Sequence, residues 1–279
     1  MIFARRGIDI DAFPAIKAHL QTYRVQLEPK PEGWEPKRPD DKWPGRKEGN
    51  YAWYEIQDSV DYWEEFLQPK IMYQVIQFFP SYTFDTEGRL GNDKTFVLAT
   101  DKKDLLAALN APVLWWFNWR NLPHLKDEAL APMGYKMEQL PIPRFSEEQR
   151  ETAFKGAERL IELTKIIGVS ASSTLDWLHH EFGLEKAGNV LSKPQNLHAD
   201  AFAAAVRKAL PRSRKLSAAD IQRLKEEHRQ TVEPARIAAA EAQALERRLS
   251  DLVNTAYGLT PEEVSLMWAT APPRMPFTP

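Results

Sequence analysis

Few residues in this chain have the types and the spacing that chemistry requires. Pro39-Asp40, followed much later by Asp101-Lys102-Lys103, loosely matches a nuclease set in which carboxylates bind magnesium and a lysine helps to activate water. A structural role is favoured over catalysis, because Asp101 stands where a predicted helix needs an N-terminal cap. Short charged motifs of this kind also arise often by chance. We therefore expect no catalytic residue in this pattern.

Other catalytic and metal-binding patterns are missing from the sequence. The twelve glycines are scattered and form no phosphate-binding loop. The chain has no Cys, which excludes disulfides, thiolate zinc sites and cysteine nucleophiles and is typical of a reducing cytoplasm. His179, His180 and Glu181 are neighbours on a predicted helix, where adjacent side chains diverge, so a surface pair is favoured over a zinc site. These absences argue against an intact enzyme.

Composition and charge are those of an ordinary globular protein. The 279 residues are 43% hydrophobic and 27% charged, enough for one large domain or two modest ones. The net charge of −2 gives no global argument for nucleic acid, so any cationic surface has to be local. No stretch has the apolar length of a signal peptide or a membrane span. We expect a cytoplasmic protein without a membrane partner.

A turn-rich, charged stretch between Lys30 and Asn50 is the strongest candidate for a binding surface. Four prolines between residues 31 and 44, together with three glycines in the stretch, exclude regular structure. Six cations are interleaved there with five acidic residues and two tryptophans. One interpretation is a solvated loop whose tryptophans pack as anchors. The functional interpretation is a loop that contacts phosphates and base edges, for which Arg and Lys supply charge and donors.

The first half of the chain has the pattern of mixed helices and strands. Apolar residues at helical spacing predict a helix from Pro14 that ends before Pro29. Further along, β-prone runs and a Leu-rich helical pattern precede an intensely apolar run. The predicted elements are strands over Pro69–Phe79, Tyr82–Phe84, Lys94–Ala99 and Tyr135–Leu140, a helix over Asp101–Asn110, and core residues over Val113–Trp119.

After Pro143 the composition becomes helical. Ser146 begins a helix with an apolar stripe, and Ser217–Asn254 is a long helix that Pro234 should kink or interrupt. Separate helices are predicted over Ser173–Phe182 and Ala199–Leu210, and the tail 271–276 should be extended. The fold class is therefore α+β. We expect a mixed α/β domain over residues 1–145, with an N-terminal docking helix, and a helical region with a long helix over residues 146–279.

Several stretches, in order along the chain, resemble one protein family. The most telling are Trp53-Tyr54-Glu55-Ile56-Gln57-Asp58 and Pro69-Lys70-Ile71. Further matching stretches are Gly7-Ile8-Asp9-Ile10-Asp11, Pro14-Ala15-Ile16-Lys17-Ala18-His19-Leu20, Leu27-Glu28-Pro29, Gln139-Leu140-Pro141-Ile142-Pro143 and Tyr257-Gly258-Leu259-Thr260-Pro261-Glu262-Glu263. Together they resemble the TaqI-like C-terminal specificity domain of adenine-specific DNA methyltransferases, especially type IIG restriction–methylation enzymes and related phage-defence methylases.

The resemblance implies target recognition without methyl transfer. In that family the specificity domain follows a catalytic domain that binds S-adenosylmethionine and holds the flipped adenine with an Asn-Pro-Pro-Tyr-type motif. This chain has no such motif, so the cofactor is expected on a separate or upstream methyltransferase domain. The partners are then double-stranded DNA and an adenine methyltransferase catalytic domain or subunit. A split-gene product, a fragment and an excised domain all remain open.

The resemblance also ranks the candidate contact residues. Those in the turn-rich loop come first, because that loop precedes the family motif, and residues that flank later loops come second. The first set is Arg38, Lys42, Arg46 and Lys47, and the second is Lys94, Arg120, His124 and Lys126. The carboxylates of Glu55 and Asp58 could accept from the backbone or orient a basic residue. The motif itself is interpreted as the support of a DNA-reading loop.

A second function class is open. The helical region, with Leu245, Leu249 and Leu252 near the end of its long helix, could mediate assembly with a methyltransferase while the first domain reads no sequence. The two classes differ in whether the chain binds duplex DNA with a preferred site.

Overall fold

A computed structural model describes residues 2–211 and 213–277. The chain divides into two compact units, Met1–Leu67 and Gln68–Pro279. This division differs from the expected one at residue 145, because sheet residues such as Ile71 share one hydrophobic core with Ala153 and Leu249 of the helical region. The sheet and the long helices therefore belong to the same unit.

The first unit has little regular structure. It contains two short helices, α1 (Pro14–Gln21) and α2 (Arg24–Leu27), and two 3₁₀ turns at Ile10–Ala12 and Trp63–Leu67. The helix expected from Pro14 is thus confirmed but broken at Thr22, whose hydroxyl donates to the carbonyl of His19. Neither α1 nor α2 contains a buried residue.

The second unit begins with a three-stranded antiparallel sheet in the order β2-β1-β3. The strands are β1 (Lys70–Gln74), β2 (Thr83–Asp85) and β3 (Thr95–Ala99). This confirms three of the predicted strands, with shorter bounds for β1 and β3 and a shift of one residue for β2. Lys70 lies opposite Asp85 on the neighbouring strand, and their fully buried side chains form an ion pair. A buried pair of this kind avoids the cost of leaving either charge unpaired.

Two helices follow the sheet, α3 (Lys103–Asn110) and α4 (Pro112–Asn121), and then a single turn, α5 (Gly134–Met137). The expected cap by Asp101 is wrong, because α3 begins at Lys103 and its cap position is Lys102. The expected strand at Tyr135–Leu140 is also wrong. Gly134 and Met137 lie in a helical turn there, closed by backbone hydrogen bonds from Lys136 and Met137 to the carbonyl of Met133.

The longest element is α6 (Glu147–Phe182), whose first turn is closed by a capping box between Ser146 and Gln149. The predicted start is confirmed, but the separate helix expected at Ser173–Phe182 is the last part of α6. Most buried residues of α6 recur at intervals of three, four or seven positions, which keeps one stripe facing a partner helix. The helix ends at Gly183 in the left-handed conformation.

The remaining helices lie C-terminal to α6. They are α7 (Gly188–Leu191), α8 (Ala199–Ala209), α9 (Ala218–Glu227), α10 (Glu233–Ala256) and α11 (Pro261–Ala269), with a 3₁₀ turn at Pro194–Asn196. A π-helical turn, His228–Val232, separates α9 from α10. This confirms the interruption expected at Pro234, because proline has no N–H and its ring clashes with the preceding turn.

Helices α6 and α10 pack antiparallel to each other. Gly156 lies against Leu249, Leu163 packs with Ala238 and Ala242, and the Ser170 hydroxyl donates to the carbonyl of Thr231, 2.7 Å away. Residue numbers therefore fall along α10 as they rise along α6. Small residues on both helices allow this close approach.

The tail after α11 is not extended as expected. It turns at Pro273 and Arg274, and Arg274 has a positive φ of 61°. The indole of Trp115 donates to the carbonyl of Pro273 at 3.1 Å, which attaches the tail to α4. The mixture of helices with a small antiparallel sheet confirms the α+β class. Within the described residues, no helix has the length and apolarity needed to cross a membrane.

Candidate nucleic-acid interface

The turn-rich stretch of the first unit forms a loop, residues 31–45, with its two ends held together. The amide of Lys30 donates to the carbonyl of Arg46 and the amide of Arg46 donates to the carbonyl of Glu28, both at 3.0 Å. The indole of Trp43 donates to the same Glu28 carbonyl at 3.0 Å, and the ring of Trp34 packs edge-on against Trp43. The 31–45 loop is thus a closed surface loop with aromatic anchors, as in Ω-loops.

Arg46 holds the base of this loop. Its guanidinium donates to the carbonyls of Leu27 and Glu55 at 2.7 Å, of Trp53 at 2.8 Å and, more weakly, of Ala52 at 3.4 Å. Burial lowers the pKa of the Arg46 guanidinium from its ordinary value. A side chain whose donors are used in this way has little left for phosphates or bases.

The ring of Tyr51 lies between two guanidinium groups. The centre of the ring is 4.7 Å from the Arg46 guanidinium carbon and 5.0 Å from that of Arg6. Arg6 also donates to the carbonyl of Gln57 at 3.0 Å. The faces of an aromatic ring attract cations, so Tyr51 stabilises two like charges in a small space.

The acidic residues of the family-like motif support the same frame. The Glu55 carboxylate is buried and accepts hydrogen bonds from the amides of Gly7 at 2.6 Å and Ala52 at 2.8 Å. Asp58 is exposed and pairs with Lys47 at 2.5 Å, and this hydrogen bond lowers the pKa of the Asp58 carboxyl. Both roles expected for these carboxylates therefore occur: Glu55 accepts from backbone amides, and Asp58 pairs with a basic residue.

The tip of the 31–45 loop presents exposed cations. Lys37, Arg38 and Lys42 are exposed, and within the described structure none of them forms an ion pair. The backbone of Arg38 is fixed by a 3.0 Å hydrogen bond from its amide to the carboxylate of Asp41. The tip also carries Glu35 and Asp40, so its charge is mixed. Of the four first-ranked residues, Arg38 and Lys42 keep free donors, whereas Arg46 and Lys47 are engaged.

The second-ranked residues lie in the other unit. Lys94 is paired with its neighbour Asp93 at 2.8 Å. Arg120 stacks on Trp116, with 3.8 Å between the guanidinium carbon and the ring centre, and donates to the carbonyl of Thr270. His124 contacts the carbonyl of Trp119 through Nε2 at 2.7 Å. Lys126 is exposed. Arg120 and His124 therefore act within the fold, and Lys126 is the one of these four that keeps a free charged end in the described structure.

The loop that carries Lys126 has a feature that no sequence signal indicated. Asp127 and Glu128 both have left-handed backbone conformations, with φ of 59° and 61°. Such conformations are unfavourable for residues with a Cβ, especially for Glu, and are maintained only by the surrounding structure. Arg274 from the tail donates to the carbonyl of Asp127 at 3.2 Å and lies over the ring of Phe78. A contact between residues this far apart in the chain cannot be read from local pattern.

No metal site supports the nuclease-like pattern. Among the described residues, no group of three or more His, Asp or Glu side chains could hold a metal ion. Asp40 and Asp101 belong to different units.

Comparison with known proteins gives one match. A family described as a domain of unknown function (DUF8810) matches residues 146–253. This range covers α6 to most of α10. Neither the curated proteins nor the solved structures contain a match to the chain.

Proposed function

We propose that this protein recognises a specific sequence in double-stranded DNA, as the non-catalytic specificity part of an adenine-specific DNA methyltransferase in a restriction–modification or phage-defence system. The observation that carries the proposal is the closed 31–45 loop, whose base is held by Arg46 and whose tip leaves Lys37, Arg38 and Lys42 free. The resemblance of the Trp53–Asp58 motif to type IIG specificity domains agrees with this arrangement, because that motif supplies two of the carbonyls that Arg46 binds.

In the proposed mechanism, one set of residues fixes the base of the loop and a different set contacts the DNA. Discrimination between base pairs requires donors placed at defined positions in the major groove, so a reading loop needs a rigid base. Arg46, Glu55 and Trp43 provide that base through hydrogen bonds to backbone groups. Arg38 has a planar donor set suited to a guanine edge, whereas Lys42 is suited to a phosphate. Methyl transfer is assigned to a catalytic domain or subunit that binds S-adenosylmethionine.

Selection from a pool of random duplexes, at one fixed salt concentration, tests this function. The wild-type chain should enrich a defined site, and Arg38→Gln should reduce discrimination at one base pair by about 1–3 kcal/mol, roughly 5- to 150-fold. Lys42→Gln should weaken binding to every duplex by a similar factor. Lys155→Gln, which removes an exposed cation from α6, is the matched control and should change neither quantity. Equal affinity of the wild-type chain for all duplex sequences would contradict the proposal.

A second candidate function is assembly through the helical pair. The leucines that suggested assembly pack inside the second unit: Leu249 is buried, and Leu245 and Leu252 pack against the same core. They are therefore not available to a partner. A different set favours assembly: Ile166 and Val169 on α6 are exposed, at 43% and 58% of their surface. They line a groove of about 650 Å³ beside the π-helical turn.

Light scattering after size-exclusion chromatography tests assembly. A dimer or larger species that Val169→Glu converts to the monomer would support an interaction subunit. A wild-type chain that is monomeric with and without a methyltransferase catalytic subunit would contradict it. Sequence preference in the duplex selection separates the two functions, because an assembly subunit shows none.

A further inference from the structure

The most basic part of the chain lies in neither set of candidate residues. The segment of residues 183–217, here called the basic cap, contains seven Lys or Arg residues and two acidic residues. The rest of the chain has more acidic than basic residues, which hides this excess in the net charge of −2. Clustering of cations on one part of a neutral protein is the electrostatic pattern expected of a polyanion-binding surface.

Both ends of the basic cap are attached at the C-terminal end of α6. Arg214 donates to the carbonyls of Phe182 at 2.7 Å and Glu181 at 3.0 Å, which satisfies carbonyls that the helix end leaves open. Leu184 and Leu210 pack in one hydrophobic cluster with Phe182. The segment before α7 and the segment after α8 are therefore both fixed at the end of α6.

The other cations in the described part of the basic cap are exposed to solvent. The exposed ones form no ion pair within the described structure: Lys186, Lys193, Arg207, Lys208 and Lys215. One of the two acidic residues, Asp200, is already paired with Lys225 at 2.8 Å. Glu185 is thus the one acidic residue within the segment that forms no ion pair in the described structure, against five such cations.

The character of the surface favours nucleic acid over a protein partner. Specific protein interfaces are built around a buried cluster of large apolar or aromatic side chains. In the described part of the basic cap, Val190 is the one large hydrophobic residue that is strongly exposed. Free cations without an apolar centre match the sequence-independent contacts that proteins make with DNA phosphates.

We infer that the basic cap binds the phosphate backbone of duplex DNA, as a second contact that adds affinity without reading sequence. This inference rests on the proposed function for the identity of the polyanion. Lys186, Arg207, Lys208 and Lys215 displace counterions from the duplex. The 31–45 loop then carries the sequence preference, and the basic cap carries most of the salt dependence.

The test compares two variants of the full chain that lose the same charge. In the cap variant, Lys186, Arg207, Lys208 and Lys215 are changed to Gln, and in the control Lys155, Lys165, Arg229 and Arg248 are changed to Gln. All eight side chains are exposed, so both variants should keep the wild-type circular dichroism and thermal transition. Affinity for one duplex is measured from low to physiological salt. The cap variant should reduce the slope of log K against log [salt] by about 3 to 4, since each phosphate contact contributes about 0.9.

Each outcome decides the inference. A slope that falls in the cap variant and not in the control supports it, and equal slopes in all three proteins, or equal losses in both variants, overturn it. Displacement of the duplex by polyglutamate at equal charge would assign the surface to acidic proteins and would also overturn it. If the cap variant is unfolded, Lys208→Gln with Lys215→Gln alone should lower the slope by about 2.

Failure of this inference and failure of the proposed function are distinguishable. Sequence preference, measured by selection, depends on the 31–45 loop, and the salt slope depends on the basic cap. If the chain shows no sequence preference but the salt slope falls in the cap variant, the basic cap still binds phosphates and the proposed function is wrong. If the chain shows sequence preference but the slope does not fall, the proposed function stands and the inference about the basic cap is wrong.

Discussion

Replacement of Arg46 by Ala should release the base of the 31–45 loop. The side chain makes three short hydrogen bonds, of 2.7–2.8 Å, to the carbonyls of Leu27, Glu55 and Trp53. A hydrogen bond to a charged group contributes about 1.5–3 kcal/mol net. Because Arg46 is partly exposed, water can replace some of these donors, so each bond is taken to contribute about 1–1.3 kcal/mol, slightly below that range. The expected loss in the free energy of local unfolding is about 3–4 kcal/mol.

Hydrogen exchange at single amides measures this loss. The amide of Lys30 bonds to the carbonyl of Arg46, and the amide of Ala52 bonds to the Glu55 carboxylate, so both report on the base of the loop. With 1.4 kcal/mol for each factor of ten, Arg46→Ala should speed their exchange roughly 100- to 1,000-fold. Arg46→Lys keeps the charge but has no planar donor fork, and should have about half the effect in free energy.

The matched control is Lys42→Ala, a change of an exposed cation at the loop tip, which should alter exchange by less than about 0.5 kcal/mol. Two results would refute the reasoning. One is an Arg46→Ala variant in which the Lys30 amide exchanges within twofold of wild type. The other is a wild-type protein in which that amide is already unprotected, because the loop base would then not be held at all.

Two further predictions concern the second unit. Gly156→Ala should destabilise the fold by about 1–2 kcal/mol, because its new Cβ would lie 2.7 Å from the side chain of Leu249. Gly168→Ala in the same helix has nothing within 4 Å of its new Cβ and should stabilise the fold by about 0.5–1 kcal/mol. Urea denaturation should therefore give changes of opposite sign in the free energy of unfolding of the two variants. Asp85→Asn should cost about 3–5 kcal/mol at neutral pH by removing the buried carboxylate that pairs with Lys70. Burial alone would raise the pKa of the Asp85 carboxyl, but hydrogen bonds from Lys70 and from backbone amides outweigh it and lower the pKa. The wild-type protein therefore holds this stability above the ordinary Asp pKa of about 4 and loses it as pH falls below that value, and the denaturation midpoint of the Asn variant should lack this acid-dependent loss.

Local pattern predicted most of the regular elements because their signals are local. Ser146 with Gln149 is a complete capping box, and Pro234 cannot continue an α-helical turn, so both features followed from neighbouring residues alone. The errors were also local. Tyr135–Leu140 has the alternation of a strand, but no neighbouring strand pairs with it, and the backbone hydrogen bonds close as a helical turn instead.

The candidate site was predicted in outline and not in detail. Composition located the 31–45 loop, and the position of that loop before the family-like motif ranked Arg46 with Arg38 as a contact residue. The two differ only in their surroundings, since Arg46 meets backbone carbonyls from two separate segments whereas the Arg38 side chain is exposed to solvent. No spacing rule reports how many free carbonyls lie near a guanidinium.

The sequence by itself determined the α+β class, the position of the cationic loop, the helical character after residue 146 and the absence of cysteine chemistry, because each of these depends on composition or on contacts within a few residues. Tertiary structure alone decided which charges are free. It assigned Arg46 and Glu55 to the backbone, paired Lys70 with Asp85 inside the sheet, and used Arg274 to hold a left-handed loop far from it in the chain. It also gathered the basic cap at the end of α6. The physical reason is that the availability of a charged group depends on partners brought together by folding, and these partners are distant in the sequence.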